Sequence, residues 1–211
     1  MTPSKPFAIT ISRQLGAGGA FVGQQLANKL SVFFADRDIL RDAANRLSTF
    51  EENLEMREEK LLSFWHSFLK TTPLTDLITT VPSVSPALEY TDQELFDAEA
   101  EIIKKIVQEQ PAIILGRCGH YILRDEPNHI SIFLHADKDF RINRIQKLYN
   151  VPTDEATIMV EKSDKARAAY CKSFTHKEWM NATNYDLSID TGKITLDQVV
   201  ELILQYIKLH P

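Results

Sequence analysis

The chain is expected to be an α/β protein of three layers, α/β/α, with about five mostly parallel strands between helices. Three observations lead there. Short β-branched or wholly apolar runs alternate with helix-periodic segments along most of the length, as strands joined by crossover helices do. Ala112 to Leu115 (AIIL) is apolar without interruption, the pattern of a strand buried on both faces of a parallel sheet. Phe7 to Leu30 (FAITISRQLGAGGAFVGQQLANKL) joins a strand to a helix through a turn made of glycines.

That first segment is the one the others are arranged around. Phe7 to Ile11 is the strand, Gly16-Ala17-Gly18-Gly19 the turn, and Ala20 to Leu30 the helix, with Phe21, Leu26 and Leu30 on one face. Backbone N–H groups bare of side chains can approach an anion, and a helix N-terminus adds partial positive charge. The segment is therefore a candidate phosphate site; a tight strand-to-helix connection is the other reading. It is not a standard Walker A motif, G-x-x-x-x-G-K-[ST]. With Gly18 as the second motif glycine, the Lys position holds Gly19, the hydroxyl position holds Ala20, and Arg13 stands at the first glycine.

Ser31 to Ala35 reads as a second core strand, closed by Asp36-Arg37-Asp38 and followed by a helix from Ile39 to Leu47. Asp36 lies just past the carboxyl end of a strand, where open α/β sheets bind ligands, so it is a candidate for contacting substrate or a hydrated metal. A helix N-cap is the equal alternative. Thr49 to Lys70 is helical, with Leu61, Trp65 and Leu69 in a broad apolar stripe beside which His66 reads as packing. Pro73, Pro82 and Pro86 make Thr71 to Thr91 a mobile connection or a substrate-covering loop.

Asp92 to Gln110 is a helix, Pro111 ends it, and the AIIL strand runs straight into Gly116-Arg117-Cys118-Gly119. Arg117 is the leading single-site candidate, because a guanidinium after a central strand needs an anion and matches phosphate geometry. A structural ion pair is the alternative. His129 to Leu134 is another strand, and His135-Ala136-Asp137 leads into a helix with Lys138, Arg141 and Arg144 near one face. Asp154 to Phe174 is helical and basic; Lys162, Lys165 and Lys172 share a face and Arg167 points elsewhere. Such a helix in an acidic chain suits a lid closing over phosphates. Tyr185 to Asp190 is the last strand and Leu196 to Leu209 the closing helix.

Composition bounds the function. The chain has 211 residues, 44% hydrophobic and 25% charged, which suits one soluble domain with a substantial core. A net charge of −5 argues against a general nucleic-acid or membrane-surface role. No apolar run approaches the roughly 20 residues of a membrane span, and no signal peptide is visible, so a cytoplasmic protein is expected. Cys118 and Cys171 supply neither a disulfide framework nor metal-ligand spacing.

In combination, ITISRQLGAGGAFVGQQLA, FFADRDIL, IILGRCGHYIL, IFLHADKDFRINRI and DKARAAYCKSFT…W…NYDLSIDTGKI resemble the cytidylate-kinase-like family of P-loop proteins, relatives of the nucleoside monophosphate kinases. The resemblance runs through nearly the whole chain and is weakest between Thr49 and Thr91. It implies a single P-loop kinase-like domain over 1–211, a substrate-region insertion over 49–91 and a lid-like segment over 152–181. It implies ATP-dependent phosphoryl transfer to a nucleotide or nucleoside, with ATP and Mg²⁺ as cofactors and a small-molecule nucleotide, rather than nucleic acid or membrane, as partner.

The family's positions fall on named residues. Gly16, Ala17, Gly18, Gly19 and Ala20 match the phosphate loop, and Arg13 the position entering it. Arg117 matches the arginine that faces the acceptor's phosphate. Arg141 and Arg144 match arginines of the helix before the lid. Lys162, Lys165 and Arg167 match lid cations that contact the transferring phosphoryl group, and Asp36 marks the start of the acceptor region.

The departures bear on rate. Cytidylate kinases proper carry Lys and a hydroxyl residue where Gly19 and Ala20 stand, and Asp where Cys118 stands; looser members commonly carry Arg at the place of Ala20. Phosphoryl transfer depends on positioning and charge neutralisation. Either Arg13, Lys165 or Arg167 replaces the missing Lys, with Mg²⁺ held through water and nucleotide oxygens, or the protein binds nucleotide without turning it over. A pure interaction module with a vestigial loop is the third possibility. The residues select no acceptor and carry no signal of oligomeric state.

Overall fold

The computed structural model describes residues 7–36, 39–40 and 92–209. Five strands form one sheet: β1 (Ala8–Arg13), β2 (Phe33–Ala35), β3 (Ala112–Leu115), β4 (His129–His135) and β5 (Leu187–Asp190). Their order is β2-β3-β1-β4-β5 and every pairing is parallel. β1 is central, so the chain crosses to one side of it for β2 and β3 and to the other for β4 and β5. The carboxyl end of β1 is thus the switch point at which open α/β sheets leave a crevice.

The helices are α1 (Gly19–Leu30), α2 (Asp92–Glu109), α3 (Gly119–Ile122), α4 (Lys138–Tyr149), α5 (Thr153–Thr175) and α6 (Leu196–Leu209). Period-two alternation along β1 divides them between the faces. Ile9 and Ile11 point into a cluster with Val22 and Leu26 of α1 and Val199 and Ile203 of α6. Ala8 faces the opposite cluster, with Ile102 and Ile106 of α2 and Leu123 beyond α3. A third, smaller cluster of Ile142, Ile145, Ala156 and Val160 glues α4 to α5. Ile9, Ile11, Ile102 and Ile106 are each 0% exposed, and burying one such side chain stabilises by roughly 1.5–3 kcal/mol.

The expected three layers and five strands are observed, with local differences. Ser31 and Val32 end α1 instead of opening β2: Ser31 takes a left-handed φ of 54°, and Val32 N–H donates to Ala27 O. Tyr185 closes a short 3₁₀ turn at Ala182–Asn184, and the Asp186 carboxylate accepts from Ser131 N–H and Oγ, so β5 begins only at Leu187. The four-residue α3 is too short to show a period. The helix expected from Ile39 lies outside the described residues beyond Leu40, as do the Thr49–Lys70 helix, the whole Thr71–Thr91 loop and His66.

His129, at the start of β4, gives the fold a pH dependence. Its Nε2 lies 2.7 Å from Thr10 Oγ1, and burial lowers its pKa from 6.5 to about 4 against a smaller opposing pull from Asp186. The native state therefore resists protonation that the unfolded chain accepts. Stability is complete above pH 6.5 and is lost as pH falls toward 4, by about 3 kcal/mol in all. Urea unfolding of His129→Gln across that range should show this part of the acid loss gone; an unchanged pH slope would overturn the assignment.

Candidate functional site

The carboxyl ends of β1, β2 and β3 open into a cavity of about 790 Å³, roofed by one face of α5. The glycine turn lies beside it: Leu15 and Ala20, on either side of the turn, line the cavity, whereas Gly16, Ala17, Gly18 and Gly19 do not. Gly16 and Gly18 sit at φ 86° and 81°, and Gly18 caps α1 without any side-chain hydrogen bond. The first N–H groups of a twelve-residue helix are thus left for an anion. Ala20 is exposed and lines the cavity.

Arg13 lies against the glycine turn. A Cβ at Gly19 would fall 2.6 Å from Arg13 Cγ and 2.8 Å from its Cβ. A Cβ at Gly116, whose φ is 83°, would fall 2.2 Å from Arg13 Nη1. The side chain therefore runs over the phosphate turn and sets its guanidinium against the turn after β3, in a trough that two residues without side chains leave open. Arg13 itself lines the cavity.

The turn after β3 holds three successive left-handed residues, Gly116, Arg117 and Cys118, at φ 83°, 50° and 53°. Two of them carry side chains, a conformation that costs roughly 1–2 kcal/mol per residue and is typical of sites where function dictates the backbone. Arg117 Nη2 meets Glu99 Oε1 at 3.2 Å, and Tyr170 Oη donates to Glu99 Oε2 at 3.1 Å. The guanidinium carbon lies 5.2 Å from the Tyr170 ring centroid. Glu99 is 0% exposed. Arg117 still lines the cavity, and its Nε is buried with no hydrogen bond among the described residues. The ion pair expected as the alternative for Arg117 is therefore present.

Asp36 Oδ1 accepts from Ile39 N–H at 3.0 Å, an N-cap contact, and the residue lines the cavity.

α5 faces the cavity through Met159, Lys162, Ser163, Ala166, Arg167 and Tyr170, a three-to-four-residue stripe. Arg167 therefore joins Lys162 around the cavity instead of pointing away from it. Lys165 falls outside that stripe and is exposed. Arg144 is half-buried on α4 and outside the lining. Arg141 also lies outside it: Nε donates to Ala136 O at 3.0 Å, and Nη1 donates to Leu15 O at 3.1 Å and to Asp164 Oδ2 at 2.6 Å. Asp164 Oδ1 in turn accepts from Leu15 N–H at 3.0 Å and sits 3.7 Å from Arg167 Nη1. The Arg141 guanidinium thus braces the glycine turn and α5 from behind, where an anion in the cavity does not reach it.

Four functional neighbours escaped the sequence reading: Glu99, Tyr170, Asp164 and His120. Glu99 had a signal, since a carboxylate in the middle of the Phe96–Ile102–Ile103–Ile106 stripe must meet a buried cation. The others had none, because their partners are far away in sequence. Among the described residues no group of three His, Cys, Asp or Glu side chains is placed to hold a metal. For Mg²⁺ the cavity offers one carboxylate, Asp36, with the hydroxyls of Ser12 and Ser163; a Mg²⁺ that keeps its waters and binds mainly through substrate phosphates fits so sparse a hard-oxygen set.

A sequence profile described as the cytidylate kinase-like family matches residues 8–193. A cytidylate kinase of Saccharolobus islandicus (strain Y.G.57.14 / Yellowstone #1) is 25% identical over 206 residues, covering 95% of this chain and 90% of the relative. Among solved structures, an uncharacterized protein from Eubacterium ventriosum ATCC 27560 superposes with a TM-score of 0.70 at 25% identity, covering 96% of this chain and 98% of that one. A gluconokinase from Sinorhizobium meliloti 1021 superposes with a TM-score of 0.52 at 13% identity, covering 97% and 94%. At that identity the likeness is one of fold: a P-loop kinase architecture around the five-stranded parallel sheet.

The buried Glu99 makes the Arg117 turn sensitive to single changes. Glu99→Ala removes the carboxylate facing a partly buried guanidinium and should cost about 3 kcal/mol of unfolding free energy. Tyr170→Phe removes one hydrogen bond and should cost about 1 kcal/mol. Urea unfolding measures both; equal losses for the two variants would contradict the assigned order.

Proposed function

The chain belongs to the cytidylate kinase-like family, and from that membership and the cavity at its switch point we propose that it transfers the γ-phosphoryl group of ATP to a nucleoside monophosphate or nucleoside. The acceptor oxygen attacks the γ-phosphorus, the bond to the β,γ-bridging oxygen breaks, and ADP leaves. The observation that carries the proposal is the Arg13 guanidinium laid between the phosphate turn and the Gly-Arg turn, where a cation is needed and Gly19 supplies none.

Each residue then has a distinct task. The N–H groups of Gly18, Gly19 and Ala20 cradle the donor's phosphates. Arg13 neutralises the charge that develops on the transferring group, the task of the Lys that position 19 lacks. Arg117, held by Glu99, turns the part of its guanidinium that lines the cavity to the acceptor's phosphate. Lys162 and Arg167 close from the lid, taken as 152–181, while 49–91 supplies the acceptor's base pocket. Mg²⁺, held by Asp36 and the nucleotide's own oxygens, would draw charge off the β- and γ-phosphates. Such a reaction belongs in the cytoplasm, where ATP is; among the described residues no helix is long and apolar enough to cross a membrane.

A second reading is favoured by Gly19 and Ala20 themselves: a nucleotide-binding regulatory protein with little turnover. Charge-assisted contacts of roughly 1.5–3 kcal/mol each sustain binding without the loop Lys.

ADP release measured against a panel of nucleoside monophosphates and nucleosides decides. Turnover with at least one acceptor is expected, and Arg13→Ala should lower kcat by roughly a hundredfold or more. Gly19→Lys alone should not raise it, because the new side chain meets the Arg13 stem. ATP-dependent thermal stabilisation with no product from any acceptor would establish the second reading instead.

A further inference from the structure

Past the end of β1 an ion pair takes over the work of the sheet. The ladder between β1 and β4 ends at Arg13, and Gln14 N–H makes one more bond, to Leu134 O at 3.0 Å. Leu15, the last residue before Gly16, lies beyond it. Leu15 N–H donates to Asp164 Oδ1 of α5 at 3.0 Å, and Leu15 O accepts from Arg141 Nη1 of α4 at 3.1 Å. The same Nη1, which carries two hydrogens, also donates to Asp164 Oδ2 at 2.6 Å. One arginine–aspartate pair thus satisfies both backbone polar groups of the residue that enters the glycine turn.

The grip reaches the site by two routes. A Cβ at Gly16 would fall 2.9 Å from Arg141 Cβ and 2.9 Å from Arg141 O, so the turn's first glycine lies directly on α4. Leu15 packs against the cluster of Ile142, Ile145, Ala156 and Val160 that joins α4 to α5. The second route runs through Asp164 Oδ1, the oxygen that accepts from Leu15 N–H. It sits 3.7 Å from Arg167 Nη1, about one helical turn farther along α5. Arg167 lines the cavity, whereas Arg141 and Asp164 do not. A single carboxylate oxygen therefore references a cavity cation to a backbone N–H 149 residues away in the chain.

We propose that Asp164, held by Arg141, is a positioning residue: it fixes the entry of the phosphate turn to α5 and, through the same oxygen, sets where Arg167 stands relative to that turn. The grip on Leu15 stands on geometry alone; its effect on rate rests on the kinase reading. In that reading the donor's phosphates meet the N–H groups of the turn and the Arg167 guanidinium together. These groups come from distant parts of the chain, and the Asp164 carboxylate is what touches both sides. Misplacing a reacting group by about 1 Å costs roughly a hundredfold in rate. Asp164 lies outside the cavity lining and acts through Leu15 and Arg167. Its loss is therefore felt on the donor side, while Asp36 and Arg117 keep their geometry toward the acceptor.

Amide hydrogen exchange of the nucleotide-free chain tests the grip directly. Leu15 N–H is expected to exchange about a hundredfold or more slowly than in an unstructured chain; an unprotected Leu15 amide would overturn the proposal. The double variant Arg141→Met, Asp164→Leu removes both charges together, so neither is left buried alone. It should release that protection and lower kcat by about tenfold or more, with the KM for the acceptor unchanged. Protection kept in the double variant, or an acceptor KM that rises as far as kcat falls, would overturn the assignment. The step through Arg167 is read from a cycle with Asp164→Asn, whose amide oxygen can still accept from Leu15 N–H. Arg167→Gln is expected to lower kcat by about tenfold in the native background and much less in Asp164→Asn. Equal losses in the two backgrounds would overturn that step and leave the grip on Leu15. Should the double variant not fold, native exchange and the cycle still decide. A native chain with no turnover on any acceptor counts against the kinase reading instead; the Leu15 exchange rate then decides the grip, and the cycle is read in ATP affinity.

Discussion

The site depends on a side chain that needs other side chains to be missing. Arg13 leaves the end of β1, passes within contact of Gly19 and ends against Gly116. Any Cβ at either position would occupy space that the arginine fills, so the glycine at 19 and the arginine at 13 are one arrangement. Read as a list of motif positions, the loop has lost its lysine. Read in space, a cation has entered the same region from the preceding strand, from the residue standing where the motif's first glycine would be. The turn itself leaves its helix N-terminus uncapped by side chains, and the guanidinium beside it comes from the strand before it.

A second arginine is held by opposite means. Arg117 sits in a run of three left-handed residues, faces a fully buried glutamate and lies near a tyrosine ring. A guanidinium fixed on one side by Glu99 gives up freedom that a surface arginine keeps, so the part of it that lines the cavity is an ordered donor. Glu99 is fully buried, and Arg117 and Tyr170 both reach its carboxylate, which lowers the cost of placing a charge there. The polar contacts behind the cavity thus order the groups that face it.

Much of this was legible in the chain, in proportion to how local each signal was. The five strands, the glycine turn and the basic helix each sit within a short stretch whose periodicity shows its form, and a parallel order follows from helices between strands. Arg117 stood out because a charge follows a buried strand directly. Arg141 looked equivalent to Lys162 by charge alone, yet one guanidinium is used up on Ala136, Leu15 and Asp164 while the other cation borders the cavity. Sequence gives the residue types on a helix; which of them turn toward a cavity depends on how that helix packs. Tyr170 is the clearest case: nothing near it in the chain announces Glu99, 71 residues away, which it meets at 3.1 Å because α5 folds back over the turn after β3.

That folding back has an energetic order. α5 is tied at its middle by Asp164, which accepts from Arg141 and from Leu15 N–H, and Arg141 is 6% exposed in its side chain against 18% for Asp164. Breaking so buried a pair costs about 3–5 kcal/mol, whereas losing the Tyr170–Glu99 bond costs about 1 kcal/mol. Beyond Asp164 the same helix is held by apolar packing: the Phe174 ring stacks on Phe96 at 4.4 Å, and Tyr170 meets Phe174 edge-on at 4.7 Å. Arg167 lies between these two attachments and Lys162 just before the first, so both cavity cations stand on a stretch of α5 whose register Asp164 fixes.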